Sequence, residues 1–284
     1  MMVKIEDYGE YKTAWCPGCG NSPILKAVKE ALVASGLAPH QVLFVSGIGQ
    51  AAKAPHYMNV NMFNGLHGRA LPVATGAKLA NPRLSVVVES GDGCVYAEGG
   101  NHFLAAIRRN VDLTLLVHDN QVYGLTKGQA SPTSESDFTS KAQPEGMTSH
   151  SFNAVAVAVA MQAGFVARGF SGMTDHLQSL IEQAIAHRGF SLVDVLQPCV
   201  SFNKLNTFAW YKKRCQVLPP EYDPSDFEVA MKTARQWGER IPLGIIYREE
   251  RTVFEDRFPA LAEGPLVGRK LDRKILAEIM EAHR

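Results

Sequence analysis

Gly91-Asp92-Gly93, followed after a helical segment and an apolar run by Asp119-Asn120-Gln121-Val122-Tyr123-Gly124, decides the reading of this chain. The run before the first motif, Leu84 to Glu89 (LSVVVE), and the run before the second, Leu113 to His118 (LTLLVH), are nearly continuous in apolar residues. That is the pattern of parallel strands buried on both faces. Each run ends at a polar turn, so both motifs stand at the carboxyl ends of strands, the edge where open α/β sheets bind ligands. Mg²⁺ takes oxygen ligands in near-octahedral geometry and is usually held by one or two protein oxygens plus substrate phosphates. Asp92 and Asn120 supply two such oxygens at one edge. Gly-Asp-Gly alone is also an ordinary surface turn; with the Asn-bearing turn beside it, the pair reads as a site for one Mg²⁺ and the diphosphate it carries.

Working outward, Ser22-Pro23 starts a helix that runs to about Ser35, with Ile24, Leu25, Val28 and Leu32 at helical spacing and Gly36 as its stop. Val42 to Ile48 reads as the first core strand, ending in Ser46-Gly47-Ile48-Gly49-Gln50. Leu66-His67-Gly68-Arg69 leads into a helix over Ala70 to Leu79, and a helix near Gly99 to Arg109 connects the two motif strands. That β-α-β crossover is expected to be right-handed. Gln129 to Ser149, rich in Ser, Thr, Pro and Gly, is a long connection of the functional or partner-covered kind. A helix over Phe152 to Ala163, a strand over Phe165 to Arg168, a helix over Asp175 to His187 and a strand over Ser191 to Leu196 follow. The alternation predicts an α/β fold with a doubly wound, mostly parallel sheet. Three segments are expected: residues 1–40 with the Cys-x-x-Cys motif and first helix, a core over 41–200, and a small C-terminal appendage over 201–284.

With 284 residues and a net charge of +1 without blocks of like charge, the chain suits a sizeable core and gives no sign of nucleic-acid or acidic-membrane binding. The start, MMVKIEDYGEYKTAW, has no apolar leader, and no run approaches a membrane span, so the expected location is cytoplasmic. Five cysteines, two of them in Cys16-Pro17-Gly18-Cys19, do not form a secreted disulfide framework. Cys-x-x-Cys suits zinc, an iron-sulfur cluster or a reactive dithiol, and by itself does not choose among them.

The motif set, CPGCG near the start, SGIG followed by LHGR, then GDG, GGNHF, RRN and NQVYGLTKGQASPTS, resembles the β subunit of 2-oxoacid:ferredoxin oxidoreductases over nearly the whole chain. These are thiamine-diphosphate enzymes that split a 2-oxoacid oxidatively with coenzyme A. The resemblance implies that Asp92, Asn120 and the carbonyl of Val122 hold Mg²⁺ on the diphosphate, and that Ile48, Gly49, Gln50, His67, Gly68, Gly91 and Gly93 line the cofactor. Tyr123, Gly124, Leu125 and Thr126 would border the reactive centre. Cys16, Cys19 and Cys199 match the family's ligands to one 4Fe-4S cluster. Many members carry a Cys directly after the SGIG turn where this chain has Gln50, so the fourth ligand stands open.

The resemblance also implies partners: an α subunit that brings the pyrimidine-binding domain and the activating glutamate, a ferredoxin that takes the electrons, and a dimer of heterodimers. Glu89 and Glu98 are therefore not assigned the activating role. Lys53, three residues past Gln50, reads either as a solvated lysine on the first turn of the next segment or as a cation that pairs the distal carboxylate of 2-oxoglutarate, and the second reading favours that substrate over pyruvate. The same chemistry run in reverse is a CO₂-fixing synthase. His67 is expected to contact cofactor or substrate, and Cys94 to be a small packing residue beside the diphosphate. Two other readings stay open: a non-redox thiamine-diphosphate decarboxylase subunit, and a zinc-stapled module without catalysis.

Overall fold

The computed structural model describes residues 2–270 and 272–283. In chain order the elements are α1 (Asn21–Ala34), β1 (Val42–Ser46), β2 (Asn61–Asn64), α2 (Ala70–Ala80), β3 (Ser85–Gly91), α3 (Gly100–Arg109) and β4 (Leu113–Asp119). Then follow α4 (Ala154–Ala160), β5 (Phe165–Phe170), α5 (Thr174–Ala186), β6 (Phe190–Leu196), α6 (Phe208–Arg214), β7 (Cys215–Val217), α7 (Phe227–Ala234), β8 (Ile241–Arg248), α8 (Pro259–Ala262) and α9 (Arg273–Ala282). The eight strands form one sheet in the order β2-β1-β3-β4-β6-β5-β8-β7. All neighbours run parallel except β5 and β8, which are antiparallel.

Why the apolar strands lie in the middle follows from their two-sided burial. On β3, Val86 and Val88 face one cluster with α2, α3 and α4, while Val87 faces the other with α1 and α5. On β4, Leu113, Leu115 and Val117 face the first cluster and Leu116 the second. The period of two along each strand thus feeds both layers, and helices cover both faces as a doubly wound sheet requires.

Three local features depart from the sequence pattern. β1 stops at Ser46, and the next residue, Gly47, has no room for a side chain: a Cβ there would stand 2.5 Å from Cys94 Sγ. β2 is an edge strand whose four residues are all exposed, so no apolar alternation announces it. The chain between Asp92 and α3 winds as a single π-helical turn, Gly93–Glu98, with the Gly99 amide donating to the Cys94 carbonyl at 3.1 Å. Such widened turns recur at functional sites, where they re-aim a helix start. The segment after residue 200, expected as an appendage, supplies β7 and β8 to the same sheet and packs α7 against α4. Among the described residues no helix is long and apolar enough to cross a membrane.

Candidate active site

The β3–β4 register sets the first site. Gly91 pairs with His118, so the residues that follow, Asp92 and Asp119-Asn120, leave the sheet side by side. Asp92 is buried, and its Oδ2 accepts hydrogen bonds from Ser131 Oγ (2.5 Å) and Thr133 Oγ1 (2.6 Å), which leaves Oδ1 uncommitted to either hydroxyl. Asn120 Oδ1 accepts from the Val122 amide at 3.0 Å, fixing the turn, and Gln121 between them has a left-handed φ of 56°. Asp92, the Asn120 carboxamide and the Val122 carbonyl are an all-oxygen donor set of the type Mg²⁺ takes.

Around these oxygens the glycines serve two purposes. Gly68 has φ 67°, and a Cβ there would stand 2.4 Å from the Glu98 carbonyl carbon; a Cβ on Gly93 would stand 2.3 Å from the Tyr123 ring. Both are required for close packing of turn on turn. Gly49 and Gly91 instead border open space, with nothing within 4 Å of a Cβ at Gly49 and only the His118 carbonyl, at 4.0 Å, near one at Gly91. Cys94 accepts from two turns at once, the Ile48 amide at 3.5 Å and the Gly68 amide at 3.2 Å, so its buried thiol stitches the β1 turn to the His67-Gly68 turn. His67 is exposed next to that stitch, and no hydrogen bond engages its ring among the described residues. Tyr123 donates to Glu98 Oε1 at 3.3 Å, and Leu125 and Thr126 form the exposed tip of a loop closed by the Gly128 amide on the Tyr123 carbonyl. Lys53 is half-buried on the turn of helix directly after Gln50, and its ammonium makes no ion pair among the described residues.

Behind Asp92 lies a charge cluster that the sequence pattern does not single out. Thr133 Oγ1 is 2.7 Å from Asp119 Oδ1 as well as 2.6 Å from Asp92 Oδ2, and one hydroxyl has one proton to give. Burial, then the charges of Asp194 and Asp92, hold Asp119 well above the usual carboxylate range. The consistent arrangement is that protonated Asp119 donates to Thr133, and Thr133 donates to Asp92. Burial also pushes Asp92 up, to about 6, against the pull of the Ser131 and Thr133 hydroxyls and the Gly93 amide; a cation beside the carboxylate would favour the anion. Asp194 is raised by burial and accepts from Tyr96 at 2.7 Å. The compensating cation is Arg168, itself buried, which donates to the Ala234 carbonyl at 3.2 Å and stands over the Trp237 ring at 5.7 Å. Arg168, Asp119, Asp194 and Thr133 line a cavity of about 200 Å³.

The second site gathers three of the cysteines. Cys16, Cys19 and Cys199 line one small cavity with Gln50, Asn21 and Gln197, at the same sheet edge as Asn120 and Gly124. Gln197 Nε2 donates to Cys19 Sγ at 3.4 Å and Ser201 Oγ to Cys16 Sγ at 3.1 Å. Burial raises the Cys19 thiol first of all, with the charges of Cys199 and Cys16 acting in the same direction. Among the described residues no three His, Cys, Asp or Glu side chains are already closed up as a metal site. The chemistry of the donor set nonetheless fits an iron-sulfur cluster, with three sulfurs, two of them already receiving hydrogen bonds, and two buried amide oxygens, Gln50 Oε1 and Gln197 Oε1, without partners.

A buried triad connects the two sites. His118 places Nδ1 2.7 Å from Asn21 Oδ1 and Nε2 2.8 Å from Glu89 Oε1, with both His118 and Glu89 fully buried. Asn21 opens α1 just past the Cys-x-x-Cys turn, Glu89 lies on β3 and His118 on β4. Sequence spacing could not pair these three. The SPTS stretch, Ser131 to Ser134, by contrast carried a usable signal in its run of small hydroxyl residues following the Asn-bearing turn.

The family described as thiamine pyrophosphate enzyme, C-terminal TPP binding domain, matches residues 41–195, and the family of the C-terminal part of the pyruvate ferredoxin oxidoreductase beta chain matches residues 199–263. A 2-oxoacid:ferredoxin oxidoreductase subunit beta from a Sulfolobus species is 44% identical over 87% of this chain and 85% of its own length. A 2-oxoacid:ferredoxin oxidoreductase 1, subunit beta, from Aeropyrum pernix is 46% identical over 82% of this chain and 77% of its own. Among solved structures, the 2-oxoglutarate:ferredoxin oxidoreductase from Magnetococcus marinus with 2-oxoglutarate, coenzyme A and succinyl-CoA bound superposes with a TM-score of 0.90 at 36% identity, over 97% of this chain and 95% of that one.

Removing one partner of a buried hydrogen bond leaves the other unsatisfied, at a cost of about 1–3 kcal/mol. Glu89→Ala strips His118 Nε2 of its partner and is therefore expected to lower stability by about 1–3 kcal/mol, read as a fall in the urea midpoint of unfolding. A midpoint equal to wild type would show that the His118 triad does not hold the strands and α1 together.

Proposed function

Because the chain belongs to the β-subunit family of the 2-oxoacid:ferredoxin oxidoreductases, we propose that with its α subunit it oxidises 2-oxoglutarate and coenzyme A to succinyl-CoA and CO₂ and passes two electrons to ferredoxin. The observation that carries the substrate is Lys53, a half-buried cation without an ion-pair partner among the described residues, one turn beyond the loop that opens the cofactor edge. The bound 2-oxoglutarate of the Magnetococcus marinus enzyme supports the same choice. A distal carboxylate returns a charge-assisted contact to an ammonium that pyruvate cannot.

Thiamine diphosphate, when bound, supplies the carbon nucleophile and the electron sink for cleaving the bond between the carbonyl and carboxylate carbons of a 2-oxoacid. This chain's own residues bind and orient. Asp92 through its carboxylate, Asn120 through its carboxamide and Val122 through its carbonyl would hold Mg²⁺ on the diphosphate, with Ser131 and Thr133 fixing the rotamer of Asp92. The open faces of Gly49 and Gly91 leave room for the cofactor, and Gln50, His67, Gly68 and Gly93 complete its wall. His67 offers an uncommitted ring nitrogen at that wall. The Tyr123-Gly124-Leu125-Thr126 loop borders the substrate, its exposed tip limiting water access once the α subunit is in place. Cys16, Cys19 and Cys199 would hold an iron-sulfur cluster at the same edge, so that electrons leave the substrate centre one at a time. The activating glutamate comes from the α subunit, and the assembly is a dimer of heterodimers in the cytoplasm.

Two experiments follow on the purified α/β complex. Lys53→Ala is expected to raise KM for 2-oxoglutarate at least tenfold while changing KM for 2-oxobutyrate less than twofold, roughly the 1.4 kcal/mol of one charge-assisted contact. Equal changes for both substrates would refute the substrate assignment. Thr133→Val preserves shape and removes the hydroxyl that bridges Asp92 and Asp119. Calorimetric titration with thiamine diphosphate and Mg²⁺ should show affinity reduced about tenfold, as expected for losing a hydrogen bond to a charged group; unchanged affinity would contradict the role given to Asp92.

A further inference from the structure

The cysteine cavity offers three thiolates, where a 4Fe-4S cluster ordinarily takes four. Neither remaining cysteine can supply the missing one. Cys94 Sγ is held by the Ile48 and Gly68 amides, and Cys215 opens β7 beside Arg168; neither lines the cavity. What faces the three cysteines from the third loop is Gln50. Its Oε1 is shut off from solvent and has no hydrogen-bond partner. Its backbone carbonyl accepts from Trp15 Nε1 at 2.9 Å, which ties this loop to the residue before Cys16. On the other side its Cγ is 4.0 Å from where a Cβ of Gly124 would stand, so the side chain is fixed between the cysteine turn and the substrate loop.

Resting on the cluster reading above, we infer that Cys16, Cys19 and Cys199 hold three corners of a 4Fe-4S cluster and that Gln50 Oε1 meets the fourth iron, which is consequently exchangeable. Gln197 Oε1 is the other buried oxygen without a partner in this cavity, but Gln197 already donates to Cys19 Sγ and stands two residues from Cys199 on the same loop. It supports a sulfur already counted rather than closing a new side. A carboxamide oxygen is a hard ligand, whereas iron-sulfur corners are held by soft thiolates. The bond to the fourth iron is correspondingly weak. A one-electron oxidant, ferricyanide, takes the cluster from [4Fe-4S]²⁺ to [4Fe-4S]³⁺; release of Fe²⁺ then leaves [3Fe-4S]⁺, and added reductant with Fe²⁺ reverses both steps.

The test is iron analysis and electron paramagnetic resonance on the anaerobically reconstituted α/β complex, before and after one equivalent of ferricyanide. Wild type is expected to lose about one iron in four, to show a three-iron signal, and to recover on addition of dithionite and Fe²⁺. Gln50→Cys should keep all its iron through the same treatment. Gln50→Ala, which adds no ligand, should release that iron at least tenfold faster than wild type. Retention of all iron by wild type, or release from Gln50→Ala no faster than from wild type, would overturn the role of Gln50 while leaving the cluster in place. A wild-type complex reconstituted without any iron, in which Gln50→Cys also takes up none, would overturn the cluster reading itself and this proposal with it.

Discussion

The pairing of Gly91 with His118 across β3 and β4 is the constraint on which the sites depend. One register decides that Asp92 and Asn120 leave the sheet as neighbours, and a slip of one residue would turn every side chain of the strand to the opposite face. The register is fixed from both sides. Val86, Val88, Leu115 and Val117 belong to one apolar cluster and Val87 and Leu116 to the other, so a one-residue slip would exchange the side chains packed into the two layers. The sheet thereby spends its most buried strands on positioning two polar turns.

Placing acids in that core has an electrostatic consequence. Asp92, Asp119 and Asp194 are all buried, with Arg168 as the single guanidinium among them. Three anions against one cation would be costly in a medium of low dielectric. A proton on Asp119, relayed through Thr133, lets Asp92 remain the anion at the front while the group behind it stays neutral. The loop that carries Ser131 and Thr133 is thus part of the site's charge balance, and its length reflects the reach from the β4 turn back over Asp92.

The parallel strands, their helices and the two motif turns were legible because each rests on a local signal: apolar runs, helical spacing, glycine-rich ends. β2 was not, since all four of its residues are exposed and it pairs only along one edge. β8, inside the segment expected as an appendage, was not legible as part of the sheet, because only tertiary pairing with β5 reveals that. At the sites, Asp92, Asn120 and the cysteines stood out by residue type and spacing. Asn21, Glu89 and His118 did not; they lie on three separate elements, and a lone core histidine has no pattern in one dimension. Arg168 and Asp194 were hidden likewise, inside strands that read simply as apolar.

The triad of Asn21, His118 and Glu89 ties the helix that starts at the cysteine turn to the two strands that carry the Asp92 and Asn120 turns, so the two sites share one edge. The most direct test of the account is anaerobic purification of the chain with its α subunit, with iron, sulfide and thiamine diphosphate measured on one sample. About four irons for each thiamine diphosphate are expected, the content of a single 4Fe-4S cluster. Thiamine diphosphate without iron, or zinc without thiamine diphosphate, would contradict it.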